Sequence, residues 1–303
     1  TPGRRNSAYA EAEPPQLRQA AHTPAQPRSG QEVAITVKGT DEDGVAEVTL
    51  TYQIVEPGGY ISRNDTRYVA DWTSIPMRDD GQAGDQVSGD SIFTCVLPAG
   101  IQSHRRLVRY RIMAADSLGN IVRAPYPEDP SPNFAYFVYD GVPPWTGAAQ
   151  PGVTAPATYS PELLSRIPVY HLITTRKSHE EAMSIPSSQA GQYWGDEYPW
   201  WGTLVYDGEV YDHIRFRARG GVWRYSMGKN MWKFDFNTSH DFQARDDYGQ
   251  PYATRWRKLN FSALIQQGNF LQRGEQGLFE GASFRLHNLA GNPSPLTHYV
   301  HFR

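Results

Sequence analysis

Ile214-Arg215-Phe216-Arg217-Ala218-Arg219-Gly220-Gly221-Val222-Trp223-Arg224-Tyr225-Ser226-Met227-Gly228-Lys229-Asn230-Met231-Trp232-Lys233-Phe234-Asp235-Phe236 alternates basic and apolar residues on both sides of a glycine-bearing loop. Successive side chains of a strand point to opposite faces. As a strand, the first part sets Ile214, Phe216 and Ala218 on one face and Arg215, Arg217 and Arg219 on the other. The stretch from Asn230 to Phe236 reads as a second strand. Lys229, Met231, Lys233 and Asp235 share one side there, with Trp232, Phe234 and Phe236 opposite. Six basic residues lie between Asp212 and Asp235, and no acid interrupts them. If the strands pair, their basic faces sit side by side. Like charges on neighbouring strands repel. A polyphosphate would offset that repulsion, and glycine backbone could approach it closely.

Two readings of this stretch compete. A glycine-bearing loop followed by a strand lysine is a common arrangement around nucleotide phosphates. Basic residues alternating with apolar ones are equally the pattern of a half-solvated antiparallel strand. The stretch is not a Walker A loop, because Gly221 and Gly228 are too far apart and Asn230 follows Lys229 where Ser or Thr is required.

Outward from this hairpin, residues 160–303 read as one α+β domain. Ser160-Pro161-Glu162 supplies an N-cap, a first-turn proline and a first-turn acid. Ile167 to Ile173 reads as a strand. Ser178-His179-Glu180-Glu181 has the form of a capping box opening a short helix. Asp207-Gly208 between two apolar runs predicts a two-residue hairpin ending at Tyr211. A helix is expected over Gln276 to Ala290, with Leu278, Ala282, Leu286 and Leu289 on one face and Gly291 and Pro293 ending it. Thr297 to Phe302 reads as a last strand. Asp246-Asp247-Tyr248-Gly249 reads as a loop turn.

The N-terminal half differs. Residues 1–30, rich in Pro, Gln, Ala and Arg, show no apolar period and read as a flexible arm. From Gln31 the period becomes two: Val33, Ile35 and Val37, then Ala46 to Ile54, then Val108, Tyr110, Ile112 and Ala114, and finally Phe134, Tyr136 and Val138. Short strands separated by turn signals predict an all-β immunoglobulin-like or fibronectin-like sandwich over residues 31–140. Residues 141–159, rich in Pro, Gly, Ala and Thr, read as a linker. Asp79-Asp80-Gly81 through Asp90 has acids at the short spacings that Ca2+ uses, but it lacks the EF-hand order and reads as turns.

Composition limits the partners. The net charge of -3 gives no global electrostatic case for nucleic acid, and the 39% hydrophobic content implies globular domains. No apolar run is long enough to span a bilayer. The single cysteine, Cys95, reads as a buried core residue. The chain opens Thr1-Pro2-Gly3 with no initiator Met and no signal core, as if cut from something longer. Asn64 and Asn237 open Asn-x-Ser/Thr triplets, which matter only in a glycosylating pathway.

The order of motifs after Ser160 resembles the front portion of CotH-type (spore-coat protein H-like) atypical kinase domains. Ile167-Pro168-Val169-Tyr170 is similar to their opening strand, and Tyr206 to Ile214 to their Asp-Gly hairpin. Arg215 to Gly221 and Gly228 to Phe236 resemble the Arg-x-Arg-Gly and lysine-rich strand signature. Arg273 to Glu280, Ala290 to Pro293 and Thr297 to Val300 follow in the family's order. The resemblance implies an extracytoplasmic or spore-surface lineage using ATP and Mg2+ to phosphorylate protein Ser/Thr. It implies that Lys229 or Lys233 contacts ATP phosphates, with Arg217, Arg219, Gly220 and Gly221 around them. Glu275 or Glu280 would pair with the lysine, although each glutamate equally suits the start of a helix. The family's metal-binding and catalytic aspartates lie further along than the matched region. The chain alone is therefore expected to be inactive and to hold no ATP tightly. A second expectation is a carbohydrate- or surface-binding module, prompted by the 13% aromatic content and the cluster from Tyr193 to Trp201. A purely architectural spacer is a third.

Overall fold

The computed structural model describes residues 13–148, 152–184, 200–219, 231–263 and 275–303. Strand dominates it. The chain forms two compact units, Thr1–Pro57 with Asn64–Asp140, and Gly58–Arg63 with Gly141–Arg303.

The first unit contains β1 (Gln16–Thr23), β2 (Val33–Thr40), β3 (Val45–Val55), α1 (Thr66–Ala70), β4 (Thr73–Pro76), β5 (Ile92–Leu97), β6 (Leu107–Asp116), β7 (Ile121–Ala124) and β8 (Phe134–Phe137). One sheet runs β1-β2-β5. The other runs β4-β3-β6-β7, with β8 also paired to β6. The two sheets bury one shared core. Val33, Ile35, Val37, Cys95 and Leu97 come from the first, and Val48, Leu50, Val108, Tyr110, Ile112 and Tyr136 from the second. The period-two apolar positions thus face each other across a sandwich. Burial pushes the Cys95 thiol up to about 11, as befits a small core residue.

Residues 13–30 correct the expectation of a featureless arm. Gln16–Thr23 is a strand paired antiparallel to β2. Its register breaks between Arg18 and Ala21, with Gln19 at φ +54°. The bulge puts Leu17 and Ala20, three residues apart, against the same core. That spacing hides the strand from a period-two reading.

The second unit contains β9 (Trp145–Gly147), β10 (Ala157–Tyr159), α2 (Pro161–Leu164), β11 (Val169–Thr174), α3 (Arg176–Ser184), β12 (Trp200–Tyr206), β13 (Glu209–Arg219), β14 (Met231–Asp235), β15 (Lys258–Phe261), α4 (Glu275–Leu289) and β16 (His301–Phe302). The expected linker is not structureless, because β9 and β10 pair and stack Trp145 on Tyr159. The six-stranded sheet runs β15-β14-β13-β12-β11-β16. All neighbours are antiparallel except β11 and β16. Tyr170, Leu204, Tyr206, Tyr211, Ile214, Phe216, Trp232, Phe234 and Phe261 pack a largely aromatic core on one face. Among the described residues, no helix is long and apolar enough to cross a membrane.

Local signals fare unevenly. Tyr206 pairs with Glu209 across Asp207 (φ +53°) and Gly208 (φ +78°), the two left-handed positions a tight hairpin turn requires. Ser160 caps α2 through the N–H of Leu163. Ser178 is not a cap, because α3 begins earlier and Thr175 Oγ1 accepts the Ser178 N–H at 3.0 Å. The last strand shrinks to His301–Phe302. Gly291, at φ +81°, ends α4 as expected.

Candidate functional site

The basic ribbon forms as two paired strands. Arg215 lies opposite Asp235, Arg217 opposite Lys233 and Arg219 opposite Met231. Ile214, Phe216, Trp232 and Phe234 lie in the core on the other side. On β15, Asn260 continues the row of Lys233, and Lys258 the row of Asp235.

A bulge gives the arginines this face. Gly202 of β12 pairs with Ile214, but Leu204 pairs with Tyr211, so Thr203 alone opposes Asp212 and His213. His213 sits at φ +53°. Tyr211 and Ile214 are three residues apart and both face the core. Without the extra residue, strict alternation from Tyr211 would drive Arg215 and Arg217 inward. Asp212 holds the bulge. Its carboxylate accepts the Thr203 hydroxyl at 2.5 Å and the His213 N–H at 2.9 Å, and its Oδ2 lies 3.2 Å from His213 Nε2. Asn237 Nδ2 donates to the Asp212 carbonyl at 2.9 Å. Asp212, His213 and Thr203 are all buried. The sequence reading ended one strand at Tyr211 and began another at Ile214. The structure corrects this to a single strand, β13, kinked between them.

The ribbon is not uniformly available to an anion. Arg215 donates to Asp235 Oδ2 at 2.6 Å, and Arg257 lies 3.9 Å from the other oxygen and 3.5 Å from Asp241. Arg215 is therefore neutralised across the ladder by an acid that follows the basic run in sequence. Arg217, 7% exposed, and the half-buried Lys233 form a like-charged pair in the next row. Arg219 is exposed at the strand end. Gly220, Gly221, Gly228 and Lys229 lie outside the described residues, as does the side chain of Glu275. Glu280, exposed on α4, accepts from Ser262 Oγ at 3.4 Å, one residue past β15. No protein-family model and no curated protein matches the chain.

The remaining candidates resolve by their hydrogen bonds. Asp246 Oδ1 accepts the N–H of Tyr248 and Gln250 at 2.9 and 2.8 Å, the loop turn expected of it. Carboxylate oxygens of Asp79, Asp85 and Asp90 come within 4.8 Å of one another. Asp79 accepts the N–H groups of Gly89, Asp90 and Ser91, Asp85 that of Gly81, and Asp90 that of Ile92. These bonds build the loop between β4 and β5. Most of the aromatic cluster from Tyr193 lies outside the described residues. Trp200, 8% exposed, packs in the core and donates to Glu181 at 3.1 Å. Trp201 is 41% exposed, 6.0 Å from the Arg215 guanidinium.

Register is what sequence reasoning missed. Asp235 was visible as a member of the basic face. Only the pairing showed that it meets Arg215, with Arg217, Lys233 and Arg219 further along the same face. Interruption of the two-residue period at Asp212-His213 was the available signal for the bulge.

Proposed function

We propose that the second unit holds the phosphate chain of a nucleotide against the Arg217, Lys233 and Arg219 end of the β13–β14 ribbon. On this reading the unit is the nucleotide-binding portion of a CotH-like atypical protein kinase acting on protein Ser/Thr. One observation carries it: Arg217 and Lys233 are direct cross-strand neighbours and Arg219 follows on the same face, so three cations converge where a phosphate chain could bridge them. Gly220, Gly221 and Gly228 follow Arg219 in sequence. Glu280 reaches this end of the sheet through Ser262, the direction from which a helix glutamate would answer a lysine.

The described face supplies cations and no carboxylate set for Mg2+. Asp235, the acid within the ribbon, is engaged by Arg215 and Arg257. Phosphoryl transfer needs carboxylates that hold the metal. The proposal for this chain is therefore phosphate binding, and transfer is assigned to the lineage.

Calorimetric titration with tripolyphosphate and with ATP tests the reading. Both should bind weakly at low salt, and less as salt rises. Lys233→Ala and Arg219→Ala should each weaken binding about tenfold or more, the scale of a charge-assisted hydrogen bond. Absence of binding by either ligand, or affinities untouched by both substitutions, would overturn it.

A further inference from the structure

Phe279, Ala282, Leu286 and Leu289 follow one another on α4 at spacings of three, four and three residues. That is the a-d-a-d order of a helix–helix seam. The seam is open: Phe279 is 70% exposed, Leu286 66% and Leu289 77%, with Leu278 beside them at 58%. The opposite stripe of the helix faces its own unit. A Cβ on Gly281 would come 3.1 Å from the Tyr299 hydroxyl, Phe284 is half-buried, and Asn288 Oδ1 accepts the Ser294 N–H at 2.8 Å. The helix is thus docked by one side while presenting its more apolar side outward. Exposed apolar patches of this size mark association surfaces.

We propose that the α4 seam packs antiparallel against α4 of a second copy of this chain. The area suits it. The four large side chains leave on the order of 500 Å² open, or roughly 1,000 Å² across two copies, the lower bound of specific interfaces. The helix dipoles set the direction. The charges nearest the seam take no part, because Glu280 accepts from Ser262 and Arg285 is held by Asp247 within their own unit. A parallel copy would align like with like, whereas an antiparallel copy opposes the two dipoles. Its two-fold axis passes between the Ala282 and Leu286 layers, so Phe279 meets Leu289 of the other copy. The small Ala282 lets the helices approach closely near that axis.

Sedimentation equilibrium from about 1 to 100 µM reads the association directly. A monomer–dimer equilibrium is expected. Leu286→Glu and Leu289→Glu should each raise its dissociation constant at least tenfold. Both side chains are exposed, so circular dichroism and the melting temperature should barely change. Val69→Glu, an equally exposed apolar site on α1, should leave the equilibrium unchanged. For direction, Phe279→Cys mixed with Leu289→Cys should yield the disulfide-linked heterodimer. A chain monomeric over the whole range, or a dimer indifferent to both glutamates, would overturn the proposal. Self-linking of Phe279→Cys in preference to the mixed pair would overturn its antiparallel direction.

Discussion

Arg217 on β13 faces Lys233 on β14 across the ladder, a like-charged pair in a row whose neighbour, Arg215 with Asp235, is a matched ion pair at 2.6 Å. The two rows differ by one step along the strands and by the sign of one residue. Directly opposed like charges repel across a ladder, so Lys233→Met should stabilise the protein without ligand. The gain should be a few tenths to about 1 kcal/mol, and it should shrink in high salt. Urea denaturation at low and high ionic strength measures it. A loss of stability at both would show that Lys233 is held by attraction instead.

The bulge at Asp212 and His213 aims the arginines, so its support should matter beyond its own contacts. Thr203→Val removes the hydroxyl donor to a buried carboxylate while keeping shape. A destabilisation of about 1–3 kcal/mol is expected, read from the urea midpoint. The same variant should weaken tripolyphosphate binding, since the register of Arg217 and Arg219 depends on the kink.

In the first unit, Asp79 gathers three backbone N–H groups of the loop before β5. Asp79→Ala should cost about 2–3 kcal/mol. Because the acids of this loop are spent on turns, a chelator should leave the melting temperature of the wild-type chain unchanged. A rise on adding Ca2+ would refute that account.

His22 gives the first unit a pH dependence. Its Nε2–H donates to the Ala25 carbonyl at 3.2 Å, and Nδ1 accepts from the Tyr110 hydroxyl at 3.0 Å. Burial lowers its pKa below the ordinary imidazole value. His298, half-buried and within hydrogen-bond reach of the Tyr170 hydroxyl in the second unit, shifts in the same direction for the same reason. The unfolded chain therefore binds these protons first as pH falls. The stability they contribute is full above about pH 6.5 and is lost as pH drops toward the lower folded values. Denaturation midpoints should fall between pH 7.5 and about pH 5, and His22→Phe should flatten part of that slope.

Adjacent tryptophans should behave differently. Trp200→Ala empties a core position and should cost about 3–5 kcal/mol. Trp201→Ala should cost under about 1 kcal/mol. Thermal melts separate them. If a sugar ligand exists, its binding should depend on Trp201, the ring that is open to solvent.

The sequence by itself determined which residues face the cores. Val33, Ile35 and Val37, or Phe216 and Phe234, sit where alternation puts them, because burying apolar side chains on one face of a strand is a local consequence of period two. It likewise determined the Asp207-Gly208 turn, since few residues tolerate left-handed backbone. Wherever one extra residue breaks the period, local pattern failed: at Gln19 it hid β1, and at Asp212-His213 it cut β13 in two. Tertiary structure alone decided which charges meet. Arg215 and Asp235 are twenty residues apart in the chain, and register, fixed by the bulge and by core packing, made one arginine a partner and left the next beside a lysine. Tertiary structure also decided that the apolar side of α4 faces outward, because a helix has several candidate faces and only the packing of Gly281 beneath Tyr299 selects among them.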